Sequence, residues 1–126
     1  MSGFAFDANI VIDALAGYVP ARSEIQRAVS GGARAWISRM AWIEVLSKGD
    51  AAVVRGAVAF MSHFGLDEMD EEIALRAAGL RRERPRLKSP DAIILATAQT
   101  RGRVLVTRNT MDFPANMPGV RVPYIL

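Results

Sequence analysis

Short apolar runs alternate along this chain with stretches of helical periodicity, and that alternation constrains the fold more than any other feature. Gly3 to Phe6 is a brief strand-like run ending at Asp7, after which Ile10, Val11, Ala14 and Leu15 take up helical spacing until Gly17. Ser23 to Ser30 reads as a helix stopped by Gly31-Gly32, and Ala35-Trp36-Ile37 as a second strand. Ser38 is placed to cap a helix through Met40 to Leu46 that closes at Lys48-Gly49, where a cation and a glycine suit a helix C-terminus. A further helix is expected from Ala51 to Phe64, ending at Gly65, then a short third strand from Leu66 to Met69. Glu71 to Arg84 is an amphipathic helix cut by Pro85.

The last units are the most apolar. Ser89 is expected to cap a helix with Pro90 at its first position, and Asp91 to Ala98 carries only one charge, so this helix should be central. Gly102 ends it, Arg103 to Thr107 reads as a buried strand, a polar loop spans Arg108 to Asn116, and a final strand lies around Val120 to Val122. Strands alternating with helices predict a three-layer α/β/α fold around a central parallel sheet. At 126 residues the expectation is a single domain over 1–126.

Composition narrows the chemistry. With no cysteine and His63 as the lone histidine, neither disulfides nor a thiolate or His-rich metal site can form, so any metal must be held by oxygen. Asp7 and Asp13 interrupt the first apolar stretch, and no basic segment precedes it, so no signal peptide or membrane span is expected and the cytoplasm is the expected location. The net charge is +3, and Lys48 and Lys88 are the only lysines among 16 basic residues. Arginine's planar fork suits phosphate, although so small an excess serves equally as a solvating surface.

In open α/β sheets ligands bind at the carboxyl ends of the strands, and acidic residues collect there. Asp7 ends the first strand; Thr107, Asn109 and Asp112 follow the strand over Val104 to Val106; Asp91 opens an apolar helix; Glu44 is the one acidic residue in its helical run. Brought together, such carboxylates repel unless a cation neutralises them, and hard dications prefer these oxygen ligands. A bound Mg²⁺ or Mn²⁺ resolves the repulsion, and it suits hydrolysis of a phosphodiester. Each acid also has a plain structural reading. Asp7 can cap the next helix, Asp91 can serve the helix dipole, Glu44 can pair with Lys48, and Asp112 and Asn109 can close a turn. It is the coincidence of four that favours a site.

Phe6-Asp7-Ala8-Asn9, Glu44-Val45-Leu46, Ser89-Pro90-Asp91-Ala92-Ile93-Ile94 and the run from Leu105 to Phe113 resemble the four signature blocks of the PIN-domain family. Their order and spacing are similar to those of VapC-type toxins of bacterial and archaeal toxin–antitoxin pairs. The resemblance implies a PIN-like α/β/α fold, Mg²⁺- or Mn²⁺-dependent endoribonuclease activity, an RNA substrate, a homodimer and a cognate antitoxin protein. It also implies that Asp7, Glu44, Asp91 and Asp112 form the acidic, metal-binding quartet, supported by Thr107 and Asn109. Glu44 would complete the metal shell or deprotonate the attacking water. Ala8 departs from the pattern, because the family often carries a hydroxyl residue there.

Three other features complete the expectations. Arg82 and Arg86, in the basic segment before Asp91, are candidate contacts for an RNA backbone. Asp13 is expected to be a surface or helix-pairing residue, and the acidic run from Asp67 to Glu72 is expected to be a solvated helix start. The rival functions are a catalytically silent RNA- or protein-binding module and a phosphoacceptor receiver domain. The first would have lost a carboxylate; the second needs paired acids after the first strand and a late lysine, whereas the last lysine here is Lys88.

Overall fold

A computed structural model of the chain describes residues 3–32 and 34–126. Five short strands form one sheet: β1 (Phe4–Phe6), β2 (Ala35–Ser38), β3 (Gly65–Asp67), β4 (Val104–Val106) and β5 (Val120–Arg121), in the order β3-β2-β1-β4-β5, with every pairing parallel. Six helices flank it: α1 (Ala8–Leu15), α2 (Val19–Ser30), α3 (Arg39–Val45), α4 (Ala51–Met61), α5 (Glu71–Glu83) and α6 (Ser89–Arg101). The three-layer α/β/α architecture is the one the alternation predicts. Among the described residues, no helix is long and apolar enough to cross a membrane.

The chain moves outward from β1 through β2 to β3, then returns to place β4 on β1's other side. The sheet therefore reverses its strand order between β1 and β4, the kind of crevice where ligands bind in such folds. Register draws the two strand ends level: Phe6 pairs with Val106, and the Asp7 amide donates to the Val106 carbonyl at 2.9 Å. Beneath them lies a core that includes Phe6, Ile10, Val11, Ile37, Leu105, Val106 and Phe113, all at most 1% exposed. Fully burying each such side chain contributes roughly 1.5–3 kcal/mol. This packing, rather than propensity, holds strands of two to four residues in place.

Several boundaries differ from the sequence expectation. Helix α2 begins at Val19 rather than Ser23, with Pro20 in its first turn, where a missing amide costs nothing. Helix α4 ends at Met61, and Gly65 opens β3 instead of stopping the helix. Ser38 does cap α3, accepting from the Ala41 amide at 3.1 Å. Ser89 does not cap α6; Lys88 holds that position and no side chain bonds the end. Two acids expected in solvent are buried. Asp67 is 5% exposed and takes a two-pronged ion pair from Arg103, while Asp13 is 8% exposed and pairs with Arg108.

Candidate active site

Asp7 leaves β1 in extended conformation and becomes the N-cap of α1, so its carboxylate is fixed at the sheet's switch point. It accepts from the Ala8 amide at 2.7 Å, the Thr107 hydroxyl at 2.8 Å and the Asn9 side-chain amide at 3.3 Å. The capping reading therefore holds for this residue, and the same carboxylate stands at the switch point. Burial nevertheless pushes its pKa up, against those three bonds and the nearby charge of Arg108. The hydroxyl absent at Ala8 is not needed to orient Asp7, because Thr107 supplies one from across the sheet.

Thr107 links this carboxylate to the loop after β4. Its oxygen accepts from the Asn9 side-chain amide at 3.2 Å and the Asn109 backbone amide at 3.0 Å. Asn109 in turn donates to the Asp112 carboxylate at 2.9 Å and accepts from the Asp112 amide at 3.2 Å, closing a small turn. A continuous polar chain therefore runs from Asp7 through Thr107 and Asn109 to Asp112. Asn9 belongs to it and was not singled out in the sequence. The signal was its place two residues after an acidic cap, on the turn of α1 nearest the strand ends.

The other acids approach from helices. Glu44, near the end of α3, is half-buried, and its pKa is raised by burial and then by Asp7 and Asp91. Asp91, in the first turn of α6, is pushed up to about 6 by burial, by Asp112 and by Asp7, with Asp112 also within hydrogen-bonding reach and Lys88 opposing. No ion pair joins Glu44 to Lys48 among the described residues, so Glu44's charge faces its fellow carboxylates instead. Electrostatic interactions thus link Glu44 to Asp7 and Asp91, and Asp91 to Asp7 and Asp112.

Asp7, Glu44 and Asp91 line an open cleft of about 840 Å³ together with Asn9, Asn109, Arg108 and Lys48. Its far wall is apolar, built from Ile12, Leu15, Val53 and Ala57. Asp112 instead lines a neighbouring pocket of about 610 Å³ with Arg84, Arg86 and Met111. Of the two arginines proposed for RNA, Arg86 thus stands beside Asp112, whereas Arg82 is exposed and lines neither cavity. Arg84 is the basic residue of this segment that touches the loop, donating to the Asp112 carbonyl. Among the described residues, no three acidic or histidine side chains converge tightly enough to form a ready-made metal cage.

The PIN domain family model matches residues 4–115. No curated protein matches the chain. Among solved structures, a toxin–antitoxin complex from Klebsiella pneumoniae contains a chain 37% identical, with a TM-score of 0.86 and coverage of 98% of this chain and 99% of that one. A chain of DNA-bound VapBC from Salmonella typhimurium is 25% identical, with a TM-score of 0.79 and coverage of 96% of each chain. FitAcB from Neisseria gonorrhoeae, at 16% identity, a TM-score of 0.74 and coverage of 98% and 99%, shares the fold. With the family model spanning the sheet from β1 past β4 and all four acidic segments, this chain belongs to the PIN-domain family.

Proposed function

We propose that the chain is the toxin of a toxin–antitoxin pair and cleaves RNA as a Mg²⁺- or Mn²⁺-dependent endoribonuclease, its residues 1–126 acting as one domain. The observation that carries this reading is the meeting of four carboxylates from distant segments at the switch point, with the pKa values of Asp7, Glu44 and Asp91 raised. Carboxylates held together at such a cost are more often functional than structural. The donor set fits a hard dication. Mg²⁺ keeps several of its waters and takes only one or two carboxylates directly, so the absence of a tight three-acid cage suits it. Asp7, Asp91, Asp112 and Glu44 are the residues that would hold it, directly or through water. When bound, the ion supplies charge that offsets the developing negative charge on a phosphodiester and eases deprotonation of water.

The chain's own residues do the rest. Thr107, Asn9 and Asn109 orient Asp7 and Asp112, so neither carboxylate must reorganise during reaction. Glu44, made more basic by burial and its acidic neighbours, is suited to accept a proton from the attacking water. The partner reading draws on the toxin–antitoxin complex from Klebsiella pneumoniae, which contains the chain of similar sequence. A homodimer in the cytoplasm completes the proposal.

The test is cleavage of total RNA by purified protein with Mg²⁺, Mn²⁺ or EDTA. Metal-dependent cleavage that falls at least a hundredfold, on the order expected for loss of a charge-stabilising group, is predicted for Asp7→Asn and Asp91→Asn. Cleavage that persists in EDTA, or in both variants, would sink the assignment. Metal binding without cleavage of any RNA would shift it to a silent binding module.

A further inference from the structure

Arg108 stands two residues past the end of β4 and lines the cleft, yet none of its hydrogen bonds goes to the carboxylates there. Its Nε and Nη2 donate to the two oxygens of Asp13 at 2.7 and 3.3 Å. Asp13 is itself gripped from the other side: the Tyr124 hydroxyl donates to its Oδ2 at 2.8 Å, and its carbonyl accepts from the Tyr18 amide at 2.9 Å. The Tyr18 and Tyr124 rings meet edge to face, 5.1 Å apart. The Arg108 backbone amide donates to Asn9 Oδ1 at 3.4 Å, tying the residue to the polar chain that orients Asp7. Among the described residues the third guanidinium nitrogen, Nη1, has no hydrogen-bond partner, and the side chain is 32% exposed.

An arginine free to swing beside the carboxylates of this cleft would fold onto the nearest one and neutralise it. Asp13 prevents this by taking two of the guanidinium's N–H groups, which fixes the plane of the fork. What remains is a positive charge and three N–H groups, two on Nη1 and one on Nη2, donors matched to a non-bridging phosphate oxygen. The other charged residues lining the cleft are Asp7, Glu44 and Asp91 with the single cation Lys48, so a polyanion entering it needs such a contact.

We propose that Arg108 is the phosphate-binding residue of this cleft, and that Asp13 and Tyr124 are positioning residues that act through it. The inference rests on the nuclease reading and adds to it the contact that seats the RNA backbone.

The experiment measures binding of a short, fluorescein-labelled, single-stranded RNA pool at several salt concentrations, with Ca²⁺ in place of Mg²⁺. Cleavage of total RNA is followed in parallel. Arg108→Ala should weaken binding about tenfold and reduce the slope of log affinity against log salt by roughly 0.7, the loss of one phosphate contact on a single strand. Arg108→Lys should restore the slope, because the charge returns, without restoring full affinity. Replacing Asp13 also removes a buried pairing partner, so Tyr124→Phe carries the positioning claim. It deletes one O–H and keeps the ring against Tyr18, and it should weaken binding about threefold and slow cleavage while the thermal midpoint barely moves. Wild-type affinity and slope in Arg108→Ala, beside a wild-type protein that binds and cleaves, would overturn this inference and leave the nuclease intact. A wild-type protein that neither binds the pool nor cleaves RNA overturns both.

Discussion

Asp91 holds its proton to about pH 6 in the folded chain, where an unperturbed aspartate loses it near 3.8. Between those values the folded state binds more protons than the unfolded one, so stability falls as pH rises through that window. The cost of burying this charge, and its repulsion by Asp112 and Asp7, are fully expressed above pH 6. In EDTA, Asp91→Asn should therefore melt at a higher temperature than wild type at pH 8 and lose that advantage at pH 4; thermal melts of the two proteins at both pH values check it, and an equal difference at both would refute it. Asp7 and Asp91 were legible from their neighbours in sequence, because an acid at a strand end or in a helix's first turn announces its place. Asp13 and Asp67 were not. Their partners, Arg108 and Arg103, lie 95 and 36 residues away, and no local pattern distinguishes an acid awaiting a distant arginine from one facing water.

Among the elements, β3 shows how packing decides what a glycine means. Gly65 pairs with Trp36 of β2, and a Cβ at Gly65 would lie 2.4 Å from the Trp36 ring, which also carries the Arg103 and Arg34 guanidiniums 3.6 and 4.8 Å from its centroid. Gly65→Ala should cost about 1–3 kcal/mol, the usual penalty for overpacking, read as a lower urea midpoint with unchanged slope. An unaltered midpoint would mean that the tryptophan moves aside freely. In the sequence the same glycine looked like the end of a helix begun at Ala51, because a glycine after an apolar run signals both. The helix in fact stops at Met61, and the three residues between turn the chain into the strand. Helices with strong local signals, such as α5 with its acidic first turn and basic last turn, were legible almost to the residue.

At the scale of the molecule, the parallel sheet followed from alternation, but the strand order did not, since hydrophobic runs carry no record of which neighbour each one chooses. That order is what brings Asp7, Glu44 and Asp91 to one cleft with Asp112 in the pocket beside it. A dication bound there should stabilise the whole fold: Mn²⁺ at a hundredfold its dissociation constant contributes about 2.7 kcal/mol. The melting temperature of wild type should rise accordingly and that of Asp7→Asn should not; a rise in both would place the ion elsewhere. The central strand is also the first to be synthesised, while the hydroxyl that braces its aspartate arrives 100 residues later. Pairing so distant in sequence is slow to form and has no substitute nearer by. A nascent chain therefore carries Asp7 for 100 residues of synthesis before Thr107 arrives, with Asn109 and Asp112 later still, and the cleft stays unfinished over that interval.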